Sequence, residues 1–217
     1  MSLSLGTSSF IFEPCTWQPE VHAKLDTHHI AAVTNDLRAR TRFAANFQRF
    51  LATQPFTEVC ILHGRSILDL EGLCAQLERL IPVDELARTI DGPKGVASIL
   101  RSRSIAPGHA PIRNRYFIFH DADVLARLNP VLFGRIVEVF AGVAAELEYA
   151  SAESSVIQRC LYIGGEALEA EARRHDSRLH TWADDGPGIP FWSLVTGLDH
   201  PSTSICSIDA LLDKHIA

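Results

Sequence analysis

The stretch 56–80, FTEVCILHGRSILDLEGLCAQLERL, constrains the fold of this chain most. Residues 59–62 form a continuous apolar run, as expected of a strand covered on both faces. After Gly64, the residues Ile67, Leu70, Leu73, Cys74, Leu77, Leu80 and Ile81 recur at the spacing of one helix face. Pro82 stops that helix. A strand, a short glycine turn and an amphipathic helix in this order open a parallel α/β sheet. The turn between them is where a phosphate-binding loop sits if the sheet takes a nucleotide.

The rest of the chain repeats the alternation. Residues 1–30 read as an irregular arm or strap containing Pro14, Pro19, His22, His28 and His29. From about residue 35 to 51, Phe43, Phe47, Phe50 and Leu51 mark the inner face of a helix whose other sides carry Arg38, Arg42 and Arg49. A short strand is expected at 86–90, a turn at 91–95, and a helix from 96 to about 103. Residues 116–119 (YFIF) read as the next strand, closed by His120-Asp121-Ala122-Asp123. Asn129-Pro130 is a helix start with Asn as cap and Pro in the first position. Residues 157–163 (IQRCLYI) give another strand, ended by Gly164-Gly165, and 166–175 a polar helix. Residues 191–198 are ambiguous between strand and helix, and 204–208 and 208–216 suggest a last strand and a last helix.

Strand–helix alternation at this spacing predicts a three-layer α/β domain, with a mostly parallel sheet and helices on both faces. The expected organisation is an N-terminal extension and helix over 1–54, followed by the α/β domain over 55–217. Composition narrows the function classes. A formal net charge of −6 argues against general nucleic-acid binding, which rests on excess Lys and Arg. Five Cys without a C-x-x-C pair suggest neither a disulfide framework nor a zinc site, and Cys60 and Cys160 read as small buried hydrophobes. No apolar run is long enough for a membrane span, and the first residues lack the layout of a secretory signal. A cytoplasmic location is the expectation.

Ligands of parallel sheets bind outside the carboxyl ends of the strands. That edge offers His63-Gly64, then His120-Asp121-Ala122-Asp123, then Gly164-Gly165. His63, His120, Asp121 and Asp123 are the metal candidates, because imidazole and carboxylate suit zinc, iron or manganese. His120, Asp121 and Asp123 are also the acid–base candidates. With one strand between 56–63 and 116–120, the two ends stand about 10 Å apart at ~4.8 Å per strand. The plainer reading pairs Asp121 with a nearby Arg and uses Asp123 to support the following turn. Gly92, Lys94 and Gly95, leading into a helix, offer an anion site at its N-terminus, although they serve equally as a plain turn. Trp182 and Trp192 flank an acidic Gly/Pro loop and suit either a contact surface or a core. No nucleophile-elbow motif is present in the sequence.

Over residues 56–210 the order of elements resembles the core of AAA-type P-loop nucleoside triphosphatases. CILHGRSILDLE stands at the phosphate loop, RYFIFHDADVL at the acid-bearing strand and RCLYIGG at the later sensor strand. The family pattern is G-x-x-x-x-G-K-[ST], with Gly64 as its candidate first glycine. The matching later places hold Asp69, Leu70 and Glu71, so the phosphate-binding lysine and the magnesium-binding hydroxyl are replaced. Two carboxylates there repel a triphosphate, by about 4 kcal/mol for a unit pair at ~4 Å and intermediate dielectric. Asp69 is also placed to cap the helix. Asp121 matches the metal-side acid, whereas Ala122 stands where the catalytic Glu belongs. The resemblance implies a non-hydrolytic relative that acts through protein contacts, with no cofactor expected and with another copy or a different protein as partner. ILHGRSILDLEGLCAQL is also similar to the start of barstar-type ribonuclease inhibitors, which implies a basic enzyme as target. PVDELARTIDGPKG lacks the Tyr-Gly-x-Asn character of their binding segment.

Overall fold

A computed structural model describes residues 17–81, 92–102, 112–149, 156–179, 192–196 and 204–207. The chain has an α/β fold. Its elements in order are α1 (Trp17–Leu25), β1 (His29–Val33), α2 (Leu37–Ala52), β2 (Thr57–His63), α3 (Leu70–Leu80), α4 (Gly92–Arg101), β3 (Asn114–His120), α5 (Ala122–Leu128), α6 (Pro130–Tyr149), β4 (Ile157–Gly164), α7 (Glu166–Leu179), β5 (Trp192–Thr196) and β6 (Ser204–Ser207). The sheet order is β2-β3-β4-β1-β5-β6. Every pairing from β2 to β5 is parallel, and β6 joins antiparallel.

Side chains alternate along each strand, and here both sets are buried. Ala31, Val33, Cys60, Leu62, Phe117, Phe119, Cys160 and Tyr162 pack with residues of α3 to α7. Ile30, Ala32, Tyr116, Ile118, Leu161 and Ile163 pack with α1 and α2, chiefly Val21, Leu25, Phe43, Phe47 and Leu51. Two-sided burial explains the apolar runs 116–119 in β3 and 160–163 in β4. The aromatic face of α2 is the one the spacing predicts, and Arg38, Arg42 and Arg49 are exposed. Cys60 and Cys160 are buried, and burial pushes the Cys60 thiol up to about 12.

Local signals account for the helix starts. The Asp69 carboxylate accepts from the Gly72 amide at 2.7 Å and caps α3, and the Asn129 side chain accepts from the Leu132 amide at 3.0 Å at the start of α6. Among the described residues no helix is long and apolar enough to cross a membrane.

The structure corrects several readings. Residues 17–33 are not an irregular arm: α1 and β1 occupy them, and β1 is an interior strand with partners on both sides. His28 and His29, read as part of that arm, are buried. Strand β2 lies at one end of the sheet, and its Val59 and Ile61 are only half-buried. The helix expected from 96 starts at Gly92. Within 191–198, Trp192–Thr196 form strand β5, and within 204–208, Ser204–Ser207 form β6. The strand expected at 86–90, the helix at 208–216 and the loop around Trp182 lie outside the described residues.

Candidate functional site

The path of the chain over the sheet defines where a ligand crevice belongs. The connection leaving β1, through α2, packs with the Ile30–Tyr116–Leu161 set. The connections leaving β2, β3 and β4 all pack with the opposite set. Neighbouring strands β1 and β4 therefore send their chains to opposite faces, and open α/β sheets take ligands at such a switch point.

Here the switch point is filled by the chain itself. Arg40, one turn into α2, donates from Nη1 to Asp123 Oδ2 at 2.9 Å and from Nε to the Thr34 carbonyl at 2.7 Å. Asn35 donates to Glu166 Oε1 at 2.7 Å, bridging the ends of β1 and β4. The glycines at the end of β4, Gly164 and Gly165, carry no spare volume. A Cβ on Gly164 would stand 2.8 Å from Asp123 Cβ and 2.9 Å from its amide nitrogen, and one on Gly165 would collide with Arg40 and Asn35. The N-terminus of α2 is also taken, because Asp36 Oδ1 accepts from the Arg38 amide at 2.7 Å and the Ala39 amide at 3.4 Å. An anion would have to displace that carboxylate to reach those amides.

A second group forms where β2 and β3 end. His63 and His120 are register partners on adjacent strands, with ring centroids 5.4 Å apart and planes 26° from parallel. Just beyond them, Gly64 packs against the Asp121 backbone so closely that an added Cβ would lie 2.6 Å from the Asp121 carbonyl oxygen. Arg65 Nε meets Asp121 Oδ2 at 2.9 Å. Asp121 turns the chain with φ 52° and ψ 36°, left-handed values that Asp adopts more readily than most residues. His120 is half-buried, and burial together with its neighbour His63 lowers its pKa below the ordinary 6.5, against the pull of Asp121. It is neutral near pH 7.

The sequence candidates thus separate. His63 and His120 come together, since β2 pairs β3 directly and the ~10 Å separation expected of an intervening strand does not arise. Asp121 and Asp123 turn away to different arginines, Arg65 and Arg40. The pairing of Asp121 with a nearby Arg is the plainer of the two sequence readings. Among the described residues, no three or more His, Cys, Asp and Glu side chains converge as metal ligands. Gly92, Lys94 and Gly95 fall in the first turn of α4, with Lys94 exposed and Gly95 buried, rather than in a separate turn. Thr34, Asn35, Arg40 and Glu166 were not among the sequence candidates. The available signal was Asn35-Asp36, a helix-cap pair directly after the apolar run 30–33.

Comparison of the chain with family models, with curated proteins and with solved structures gives no significant match.

Proposed function

We propose that this chain is a non-hydrolytic, P-loop-like α/β domain that works through protein contacts, with another copy of itself or with a different protein. The observation that carries this reading is the closed switch point. Arg40–Asp123 and Asn35–Glu166 span the place where a parallel sheet holds its ligand, and Asp36 occupies the adjoining helix terminus. The turn after β2, on an outer strand, offers no alternative anion site, because Asp69 caps α3 there. Ala122 is buried at the position that would carry a catalytic acid.

Contact function finds support in exposed apolar side chains on connections leaving the carboxyl ends of the strands. Leu37 follows β1, Leu68 follows β2, and Leu128 and Val131 follow β3, each more than half exposed. The inhibitor reading finds less support, because the strand–turn–helix unit at 57–80 does not open this sheet. Sedimentation velocity over a range of concentrations, repeated with Leu68→Asp and Leu128→Asp, tests the contact reading. Association that weakens in these variants is the expected result. Turnover of MgATP that is abolished by Asp121→Ala would overturn it.

A further inference from the structure

We propose that His63 and His120 form a two-imidazole site for a divalent transition-metal ion of the class that prefers nitrogen ligands. This inference stands apart from the contact-domain reading. Its basis is the register of β2 and β3. Val59 and Ile61 share the α2 side of the sheet with Tyr116 and Ile118. Two residues further along each strand, His63 and His120 are paired and project from that same side. Side chains so placed start one strand spacing apart, ~4.8 Å.

The ring spacing fits one ion. A zinc–imidazole bond is about 2.0–2.1 Å, and the ring nitrogen lies roughly 1.1 Å from the ring centre, so each centroid stands ~3.2 Å from a bound ion. Two ligands at the tetrahedral angle then place their centroids about 5.2 Å apart. The observed centroid spacing is 5.4 Å. The rings are stacked, 26° from parallel, so each must turn about its side-chain bonds to aim a nitrogen at a common point, a change that leaves the strands in place.

Close contacts surround the pair. Gly64 lies against the Asp121 carbonyl, Arg65 holds the Asp121 carboxylate, and the His63 amide donates to Gln76 Oε1 at 3.3 Å. The Arg65–Asp121 pair is charge-balanced and leaves ligation to the imidazoles. His63 is exposed, so an ion has access and water completes its coordination. A neutral ring is the ligating form, and the partial burial of His120 favours it. An all-imidazole donor pair suits zinc, nickel and copper, with copper held most tightly.

Metal-stripped full-length protein titrated with Ni²⁺ by calorimetry at pH 7.5 tests the proposal. Wild type is compared with His63→Phe, which keeps a ring against His120 but removes the nitrogen, and with His120→Asn. Each variant is expected to lose one equivalent of binding, or to bind that equivalent at least about tenfold more weakly, the lower end of what losing even a supporting residue costs. Circular dichroism and melting temperature of metal-free His63→Phe should match wild type, since that side chain is exposed. Cu²⁺ bound to wild type should show coupling to two nitrogens by electron paramagnetic resonance. Absence of saturable binding by wild type, equal binding by His63→Phe, or a copper spectrum unchanged by both substitutions overturns the site.

Discussion

Lowering the pH from 7.5 to 5 is expected to weaken this protein through His29. The residue opens β1, is 3% exposed, and accepts from the Cys160 amide at Nδ1 with a distance of 3.0 Å. Protonation would put a hydrogen on Nδ1, facing the Cys160 amide hydrogen, and a charge in a buried site. Burial first, then the charge of Arg159 and the neighbouring His28, lower its pKa from 6.5 to about 3. The folded state thus resists a proton that the unfolded chain accepts. Stability contributed by the neutral ring is intact above pH 6.5 and falls as the pH drops from there toward 3. Each tenfold loss in proton affinity is worth about 1.4 kcal/mol, giving a cost of about 2 kcal/mol at pH 5 and about 5 kcal/mol once pH 3 is passed. For a chain of this size, 2 kcal/mol corresponds to a fall in melting temperature of about 4–8 °C. Urea unfolding at pH 7.5, 6 and 5 measures it, with His29→Asn as the control, whose side-chain carbonyl still accepts from an amide but does not titrate. Wild type should lose about 2 kcal/mol more than the variant between pH 7.5 and 5. Parallel curves for the two proteins would refute the reasoning.

Three further outcomes follow from single contacts. Arg115→Met should cost about 3 kcal/mol in urea unfolding, because Arg115 is buried, pairs with Glu58 and donates to the Leu100 and Ser102 carbonyls at 3.2 and 3.1 Å. A cost well below 1 kcal/mol would show the buried pair to be dispensable. Gly64→Ala forces a methyl to 2.6 Å from the Asp121 backbone oxygen, which cannot swing aside as a side chain would. A loss of about 1–3 kcal/mol is expected, with a lower melting temperature. Asp36→Ala removes the cap of α2 and should cost about 1 kcal/mol, with faster amide exchange at Arg38 and Ala39, the two groups the carboxylate holds. Unchanged exchange there would contradict the capping role.

Much of the fold was legible because the signals were local. The helical stripe through Leu70, Leu73, Cys74 and Leu77 and the caps Asp69 and Asn129 act within a few residues and appear where the sequence places them, whereas Ile67 and Ile81 lie just outside α3 and Leu80 is exposed. β1 was not legible, because His29–Val33 is five residues long and begins with a histidine. Its identity as a strand comes from neighbours far away in sequence, β4 on one side and β5 on the other. Missing β1 also moved the expected ligand loop to the end of β2, an outer strand, rather than to the junction of β1 and α2. The site was half-legible for a similar reason. That His63, His120, Asp121 and Asp123 lie at strand ends follows from the sequence, but which of them meet depends on strand order. Direct β2–β3 pairing joins the two histidines, and the arginines that claim the carboxylates lie 56 and 83 residues away.

The most direct test of the central claim is calorimetric titration of the full-length protein with MgATP, alongside a magnesium-only control. With Arg40, Asp123, Asn35 and Glu166 filling the switch point and Asp36 on the helix terminus, the account predicts only the heat of dilution. Saturable one-to-one binding that depends on nucleotide would contradict it, and would mean that these side chains open to admit a phosphate.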